Sequence, residues 1–185
     1  MEKTAEALRL QNITKVYPNG VIANNGVTFS VNYGEIHALS GENGAGKTTL
    51  MKILFGEEEA TDGEIYIDGE KVRITSPLMA IKMGIGLVHQ HFMLVPSLTV
   101  AENMVLGIEP RHGLSIDVDE TERLVKEASQ KFNFSIDPNK KIRDLTVGQK
   151  QKVEILKALI RGAKILILDE PTAVLTESEA QILIK

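Results

Sequence analysis

The sequence lacks cysteine, long apolar runs and any excess of positive charge. Without cysteine among its 185 residues, the chain can form neither disulfides nor a thiolate site. No apolar run approaches the roughly 18 residues that a bilayer span needs, and residues 1–6 carry no apolar signal core. The formal net charge of −4 does not indicate a broad nucleic-acid surface, so we expect no nucleic-acid partner. The 43% of hydrophobic residues suffices for one sizeable core.

A glycine-rich stretch at 41–48 is the most informative feature that the sequence does contain. It reads GENGAGKT and matches the phosphate-binding pattern G-x-x-x-x-G-K-[ST]. Glycines let the backbone curl around a phosphate so that several N–H groups point inward. Lys47 adds a positive charge for the β- and γ-phosphates, and Thr48 offers a hydroxyl to Mg²⁺. The residues predicted to contact the nucleotide here are Gly41, Asn43, Gly44, Ala45, Gly46, Lys47, Thr48 and Thr49. The alternative is a glycine-rich turn without a ligand.

The flanking segments predict the strand–loop–helix setting that this loop requires. Glu35–Leu39 is predicted to be a strand, with His37 as a core histidine, and Thr49–Phe55 is predicted to be a helix. The dipole of such a helix favours an anion at its N-terminus.

The rest of the chain predicts an α/β fold. The other predicted strands are Leu8–Ile13, Val27–Val31, a hairpin of 64–69 and 71–74 with its bend at Asp68-Gly69, Gly86–His89 and Ile165–Leu168. Helices are predicted from Ser76-Pro77 to about Met83 and over most of 99–161, including an amphipathic helix at Asp117–Lys131. A turn at Tyr17–Gly20 joins the first two strands.

Two acidic residues follow the last apolar strand, Ile165–Leu168. Carboxylates at strand ends lie where ligands bind in open α/β sheets. We expect Asp169 to hold Mg²⁺ and Glu170 to polarise the water that attacks the γ-phosphate. Solvated acids at a strand end are the alternative interpretation.

With these motifs in this order, the chain resembles the nucleotide-binding domain of ABC (ATP-binding cassette) proteins over nearly its whole length. Tyr17 matches the position of the family's adenine-stacking aromatic residue, and Gln90 matches its Q-loop glutamine, which senses Mg²⁺ and the membrane partner. Leu145–Gln149 resembles the signature motif, and Ala173–Thr176 occupies the D-loop. The metal ligands implied are Thr48, Gln90 and Asp169, and the catalytic residues are Glu170 and Gln90.

The resemblance implies one domain at 1–185 of P-loop NTPase type, with an N-terminal antiparallel β subdomain. Its core would comprise 1–90 and 162–185, and an inserted helical subdomain would cover about 91–161. Two such domains would bind ATP between the P-loop of one and the signature of the other, with Gly148 and Gln149 facing the partner's γ-phosphate.

The amino-acid sequences of several segments, such as 88–96 and 171–176, resemble those in the ATPases of nucleoside and simple-sugar importers. The resemblance is specifically to the first of the two cassettes in those ATPases. The implied partners are membrane-embedded permease subunits, a second ABC cassette and, indirectly, an extracytoplasmic solute-binding protein. The implied location is the cytoplasmic face of the cell membrane. The apolar segment 91–96 would help to receive a helix of the permease, with core packing as the alternative.

Three departures from the family pattern qualify this interpretation. Val147 replaces a glycine, Thr176 replaces the D-loop aspartate, and no histidine follows Glu170 before the chain ends at Lys185. We therefore expect a C-terminally incomplete cassette that binds ATP but hydrolyses it poorly by itself. The alternatives are a soluble ABC-type ATPase not linked to transport and a non-catalytic nucleotide-binding fragment. A metal site at His89 and His91 is less favoured than solvation or packing.

Overall fold

A computed structural model describes residues 5–112 and 115–169 of the chain. Two compact units divide between Gly86 and Leu87. The predicted catalytic Glu170 and the D-loop at 173–176 lie outside the described residues. The predicted division into a core and a helical subdomain at 91–161 stays a prediction.

The first unit is built on a four-stranded antiparallel sheet. Its strands are β1 (Glu6–Val16), β2 (Ile22–Asn32), β3 (Asp62–Ile67) and β4 (Glu70–Val72), in the spatial order β2-β1-β3-β4. The strands predicted from the sequence are confirmed, although β1 and β2 extend beyond the predicted bounds because pairing continues to Val16↔Ile22.

The two tight turns of this sheet follow the predicted turn chemistry. Asp68 and Gly69 both have positive φ, 52° and 79°, and this pair is what a two-residue hairpin loop requires. At the other turn the Gly20 amide donates to the Tyr17 carbonyl at 2.9 Å. This turn lets Tyr17 leave the end of β1, close to the helix that follows the P-loop.

Two helices complete the first unit, α1 (Lys47–Phe55) and α2 (Pro77–Lys82). The Ser76 hydroxyl caps α2 by accepting from the Met79 amide, with Pro77 in the first turn as predicted. The core of the unit is mainly apolar, and its buried residues include Leu8, Leu10, Ile13, Leu50, Ile53, Leu54, Ile65, Ile67 and Ala80. Apolar side chains of α1 thus form one part of this core, which fixes where the P-loop leads into the helix.

The strand predicted at 35–39 is wrong, as is the core position predicted for His37. The segment has no regular secondary structure, and within the described part of the chain its only backbone bond joins the Glu35 amide to the Asn32 carbonyl. A strand needs a neighbour to accept its hydrogen bonds, and the apolar alternation alone does not provide one. Ile36 is 68% exposed, and the exposed His37 stacks on Phe29 with ring centroids 5.0 Å apart.

The second unit contains most of the helices. After β5 (Ile85–Val88), the chain forms α3 (Val100–Val105), a two-residue pair β6 (Arg111–His112) and β7 (Ser115–Ile116), α4 (Val118–Lys131), a 3₁₀ turn (Ile142–Asp144), α5 (Val147–Ile160) and β8 (Ile165–Leu168). The mostly helical prediction for 99–161 is confirmed, and Asp117 caps α4 through the Glu120 amide. The β6–β7 pair was not predicted because its strands are too short for a periodicity.

An apolar cluster holds α3, α4 and α5 together in this unit. Its fully buried members include Val100, Met104, Val125, Val153, Ile155 and Leu156. In β8 only Ile167 is buried, so the continuous apolar run indicated more burial than the described residues show.

Buried polar side chains fasten the segment 91–98 to this helical cluster. The Asn103 side chain is fully buried, accepts from the Val95 amide at 2.7 Å and donates to the Val95 carbonyl at 3.1 Å. The Glu154 carboxylate accepts from the Met93 amide at 2.6 Å. Lys157 donates to the Met93 carbonyl at 3.4 Å, and burial lowers the pKa of this lysine against the opposing effect of Glu154. The backbone of the segment is therefore held, while the Met93 side chain is 62% exposed.

Candidate nucleotide-binding site

The P-loop forms a closed turn at the start of α1. The Ala45 amide donates to the Glu42 carbonyl at 3.1 Å, and the Leu50 amide donates to the Gly46 carbonyl at 3.0 Å, which begins the helical ladder. Gly46 is the N-cap of α1 and supplies no side-chain hydrogen bond. The amides of the first helical turn have no acceptor within the helix itself, so an anion can serve as their acceptor.

Gly46 is required by its surroundings. Its φ is 84°, in the left-handed region, and a Cβ at this position would overlap the Ala23 carbonyl oxygen. The same Cβ would lie 2.8 Å from the Asn24 side-chain nitrogen. Gly44 has a similar φ of 85°, but a Cβ there would meet no atom of the described residues within 4 Å. The loop therefore needs glycine at 44 for conformation and at 46 for both conformation and space.

A buried asparagine of β2 holds the end of the P-loop. The Asn24 side-chain amide donates to the Gly46 carbonyl at 3.1 Å, and the residue is only 6% exposed. Its Oδ1 is buried with no hydrogen-bond partner among the described residues. Sequence reasoning missed Asn24, because nothing in the β2 pattern distinguishes it from the neighbouring Asn25.

Lys47 lies across the P-loop. Its ammonium donates to the Gly41 carbonyl at 2.7 Å and to the Glu42 carbonyl at 3.0 Å. A phosphate in the loop would compete with these two carbonyls for the ammonium. The positive charge therefore lies beside the loop in which phosphates are predicted to bind.

Tyr17 lies beside the first turn of α1. Its hydroxyl is 3.4 Å from the Thr49 hydroxyl and donates to the Glu58 carboxylate at 2.9 Å. The structure thus brings Tyr17 to the P-loop helix, 32 positions along the chain. Stacking on adenine stays a prediction.

In the second unit, the predicted metal-site residues Gln90 and Asp169 lie at neighbouring strand ends. Asp169 directly follows β8, and its amide donates to the carbonyl of Val88, the last residue of β5, at 3.0 Å. Gln90 lies two residues after Val88 in the chain and is exposed. The carboxyl ends of two strands therefore meet here, which is where ligands bind in α/β sheets.

The signature-like segment forms a capped helix start. The Thr146 hydroxyl accepts from the Gln149 amide at 3.3 Å, and the Gln149 side chain accepts from the Thr146 amide at 3.1 Å. This capping box satisfies two donors reciprocally. Gln149 therefore uses both its amide and its side chain within the cap. Val147, at the first helical position, is 54% exposed.

Comparison with known proteins agrees with these motifs. The P-loop and the mixed α/β fold define a P-loop nucleotide-binding protein. The sequence pattern of the ABC transporter family matches residues 24–173, and the chain belongs to this family.

Two curated relatives are both import proteins. The chain is 48% identical to the glucose import ATP-binding protein TsgD13 of Haloferax volcanii over 95% of this chain and 37% of the relative. It is 51% identical to the guanosine import ATP-binding protein NupO of Bacillus subtilis over 96% of this chain and 35% of the relative. The chain thus spans about a third of the length of these relatives.

The fold matches that of solved cassettes. A nucleotide-free ATP-binding cassette from an ABC transporter superposes with a TM-score of 0.80 at 27% identity, over 96% of this chain and 74% of the other. The predicted fold class, an ABC-type cassette with an antiparallel sheet and helices, is confirmed. Every helix in the described part of the chain falls short of the length and apolarity that a bilayer span requires.

Proposed function

We propose that the chain is the ATP-binding and ATP-hydrolysing part of a subunit that energises import of a nucleoside or simple sugar. Both relatives described above are import ATP-binding proteins, one for glucose and one for guanosine. The order of the P-loop, Gln90, the signature and Asp169 supports the same activity.

The P-loop geometry is the observation that carries this proposal. Its backbone takes left-handed conformations at Gly44 and Gly46, its helix begins without a side-chain cap, and Lys47 lies across the loop. The positive end of a helix dipole beside a fixed ammonium suits a polyphosphate better than a neutral ligand.

The remaining roles come from the family pattern. Thr48, Gln90 and Asp169 are oxygen donors of the kind that Mg²⁺ prefers, and the ion would neutralise charge on the phosphates when bound. Glu170 would take a proton from the attacking water. Gly148 would present an amide to the nucleotide of a second cassette, with Gln149 beside it.

The proposed partners are membrane-embedded permease subunits, a second ABC cassette and, indirectly, a solute-binding protein outside the membrane. The proposed location is peripheral, on the cytoplasmic face of the membrane. The sequence His-Phe-Met at 91–93 favours the nucleoside group of importers.

Substitution of the P-loop lysine tests the nucleotide site. We expect Lys47→Ala to weaken Mg·ATP binding by roughly tenfold or more, because a charge-assisted hydrogen bond contributes about 1.5–3 kcal/mol. The measurement is isothermal calorimetry. Lys52→Ala, in the last turn of the same helix, removes the same charge and should bind ATP as the parent does. Equal ATP affinity of the two variants would show that Lys47 does not contribute to the nucleotide site.

Substitution of the predicted general base tests hydrolysis. In the assembled transporter, Glu170→Gln should keep ATP binding and slow phosphate release by about 10²–10⁴-fold, the usual contribution of a general base. A variant that hydrolyses ATP at the parental rate would exclude this role. If the parent protein binds ATP but releases no phosphate, the non-catalytic alternative is favoured.

A further inference from the structure

A small polar network surrounds Tyr17 in the first unit. The Tyr17 hydroxyl donates to Oε1 of Glu58, and the other carboxylate oxygen of Glu58 lies 3.2 Å from the Lys15 ammonium. The Lys15 ammonium is also 5.2 Å from the centre of the Tyr17 ring, over its face. One carboxylate and one ammonium thus contact the same aromatic side chain.

The network is shielded from solvent, although its members are charged. The Lys15 and Glu58 side chains are 16% and 22% exposed. The second oxygen of Glu58 has no hydrogen-bond donor in good geometry among the described residues, so the Lys15 charge is what compensates it. By contrast, the neighbouring Glu59 pairs with Arg73 on the surface, where the two side chains are 57% and 80% exposed.

The backbone holds both charged residues in place independently of Tyr17. The Lys15 ammonium donates to the Glu59 carbonyl at 2.7 Å, and the Glu58 amide donates to the Lys52 carbonyl at the end of α1. Since α1 begins in the P-loop, the carboxylate that binds the Tyr17 hydroxyl has a defined position relative to that loop.

We propose that Glu58 and Lys15 are positioning residues that set the orientation of the Tyr17 ring for the nucleotide base. Glu58 fixes the hydroxyl end of the ring. Lys15 lies over one of its faces, so a base would stack on the opposite face. This inference rests on the proposed ATP-binding function, and it assigns the base-dependent part of the affinity to residues outside the P-loop.

The physical reason is preorganisation. An unrestrained tyrosine rotates about two side-chain bonds, and stacking must then fix both at an entropic cost. A ring whose orientation is already fixed loses less conformational entropy when it stacks on the base. A purely structural role for Glu58 would instead change the binding of every ligand of the P-loop by the same factor.

The test therefore compares a ligand with a base and one without. Binding of Mg·ATP and of Mg·tripolyphosphate to the 185-residue chain is measured by calorimetry for the parent, Glu58→Ala, Tyr17→Phe and the double variant. Glu59→Ala is the matched control, since it removes an adjacent carboxylate and leaves the backbone carbonyl that Lys15 uses. Thermal unfolding by circular dichroism verifies that each variant is folded.

We expect Glu58→Ala and Tyr17→Phe each to weaken ATP binding by about three- to tenfold, a part of what base stacking contributes. Tripolyphosphate binding should be unchanged in both, and the control should bind both ligands as the parent does. The double variant should bind ATP no more weakly than the weaker single variant, because both substitutions remove one contact.

Three results would overturn the positioning role. They are equal weakening for both ligands, additive losses in the double variant, and parental ATP affinity in folded Glu58→Ala. Failure of the parent to bind either ligand is a different outcome, because it would overturn the proposed nucleotide site itself.

Discussion

Two helices of the chain begin in opposite ways. The N-cap residue of α1 is Gly46, which has no side chain to cap the helix. The N-cap residue of α5 is Thr146, and its hydroxyl and the Gln149 side chain form a reciprocal capping box. Both helix starts belong to motifs that the family pattern places on phosphates. At α1 the N-cap residue offers no side-chain acceptor to the first turn, whereas at α5 Thr146 offers one.

This difference in capping indicates that the P-loop and the signature-like segment bind phosphate in different ways. A glycine start with a fixed lysine is suited to hold a polyphosphate within one chain. A capped start has fewer donors left, so it is suited to a weaker contact with a nucleotide that another cassette already holds. This interpretation predicts that substitutions at α1 change both folding and binding, while those at α5 change mainly stability or association.

The largest effect is expected for Gly46→Ala. A non-glycine residue at φ 84° is strained, and its Cβ would overlap the Ala23 carbonyl, so we expect a loss of roughly 3 kcal/mol or more in unfolding free energy together with loss of ATP binding. Gly44→Ala has the same backbone strain without an overlap with the described residues and should lose only about 1–2 kcal/mol. Urea denaturation and calorimetry measure both variants. Equal losses would contradict the steric argument.

A smaller effect is expected at the start of α5. Thr146→Ala removes the side-chain acceptor of the cap and should lower the unfolding free energy by about 1 kcal/mol. Thr99→Ala breaks the equivalent capping box of α3 and serves as the matched variant, with a loss of similar size. Neither variant should change the affinity of a single chain for ATP in calorimetry. A several-fold change for Thr146→Ala would contradict the division between the two helix starts.

The smallest effect on stability is expected for Val147→Gly, which restores the glycine of the family pattern. Because Val147 is exposed at the first helical position, the unfolding free energy should change by no more than about 0.5 kcal/mol. If the valine crowds a partner's γ-phosphate, the glycine variant should self-associate more strongly with ATP in analytical ultracentrifugation. Unchanged association at every ATP concentration would mean that Val147 does not obstruct the contact.

The accuracy of the sequence predictions followed the range of the interactions involved. The Asp68-Gly69 bend, the Ser76-Pro77 helix start and the amphipathic helix at Asp117–Lys131 were predictable because each depends on residues within a few positions. The strand at 35–39 was not, since apolar alternation shows that a segment can pair but not that a neighbouring strand lies beside it. For the same reason His37 was assigned to a core, whereas the described structure leaves it exposed.

The sequence alone determined the P-loop, because eight consecutive residues contain the glycines, the lysine and the hydroxyl that the motif needs. It also determined the order of motifs from which the family followed. Only the tertiary structure decided which side chains hold those motifs in place. Asn24 reaches the P-loop across 22 positions, Tyr17 reaches Glu58 across 41, and Met93 reaches Glu154 across 61. Such pairs leave no periodicity in the sequence, because the fold and not the spacing brings their atoms within hydrogen-bond distance.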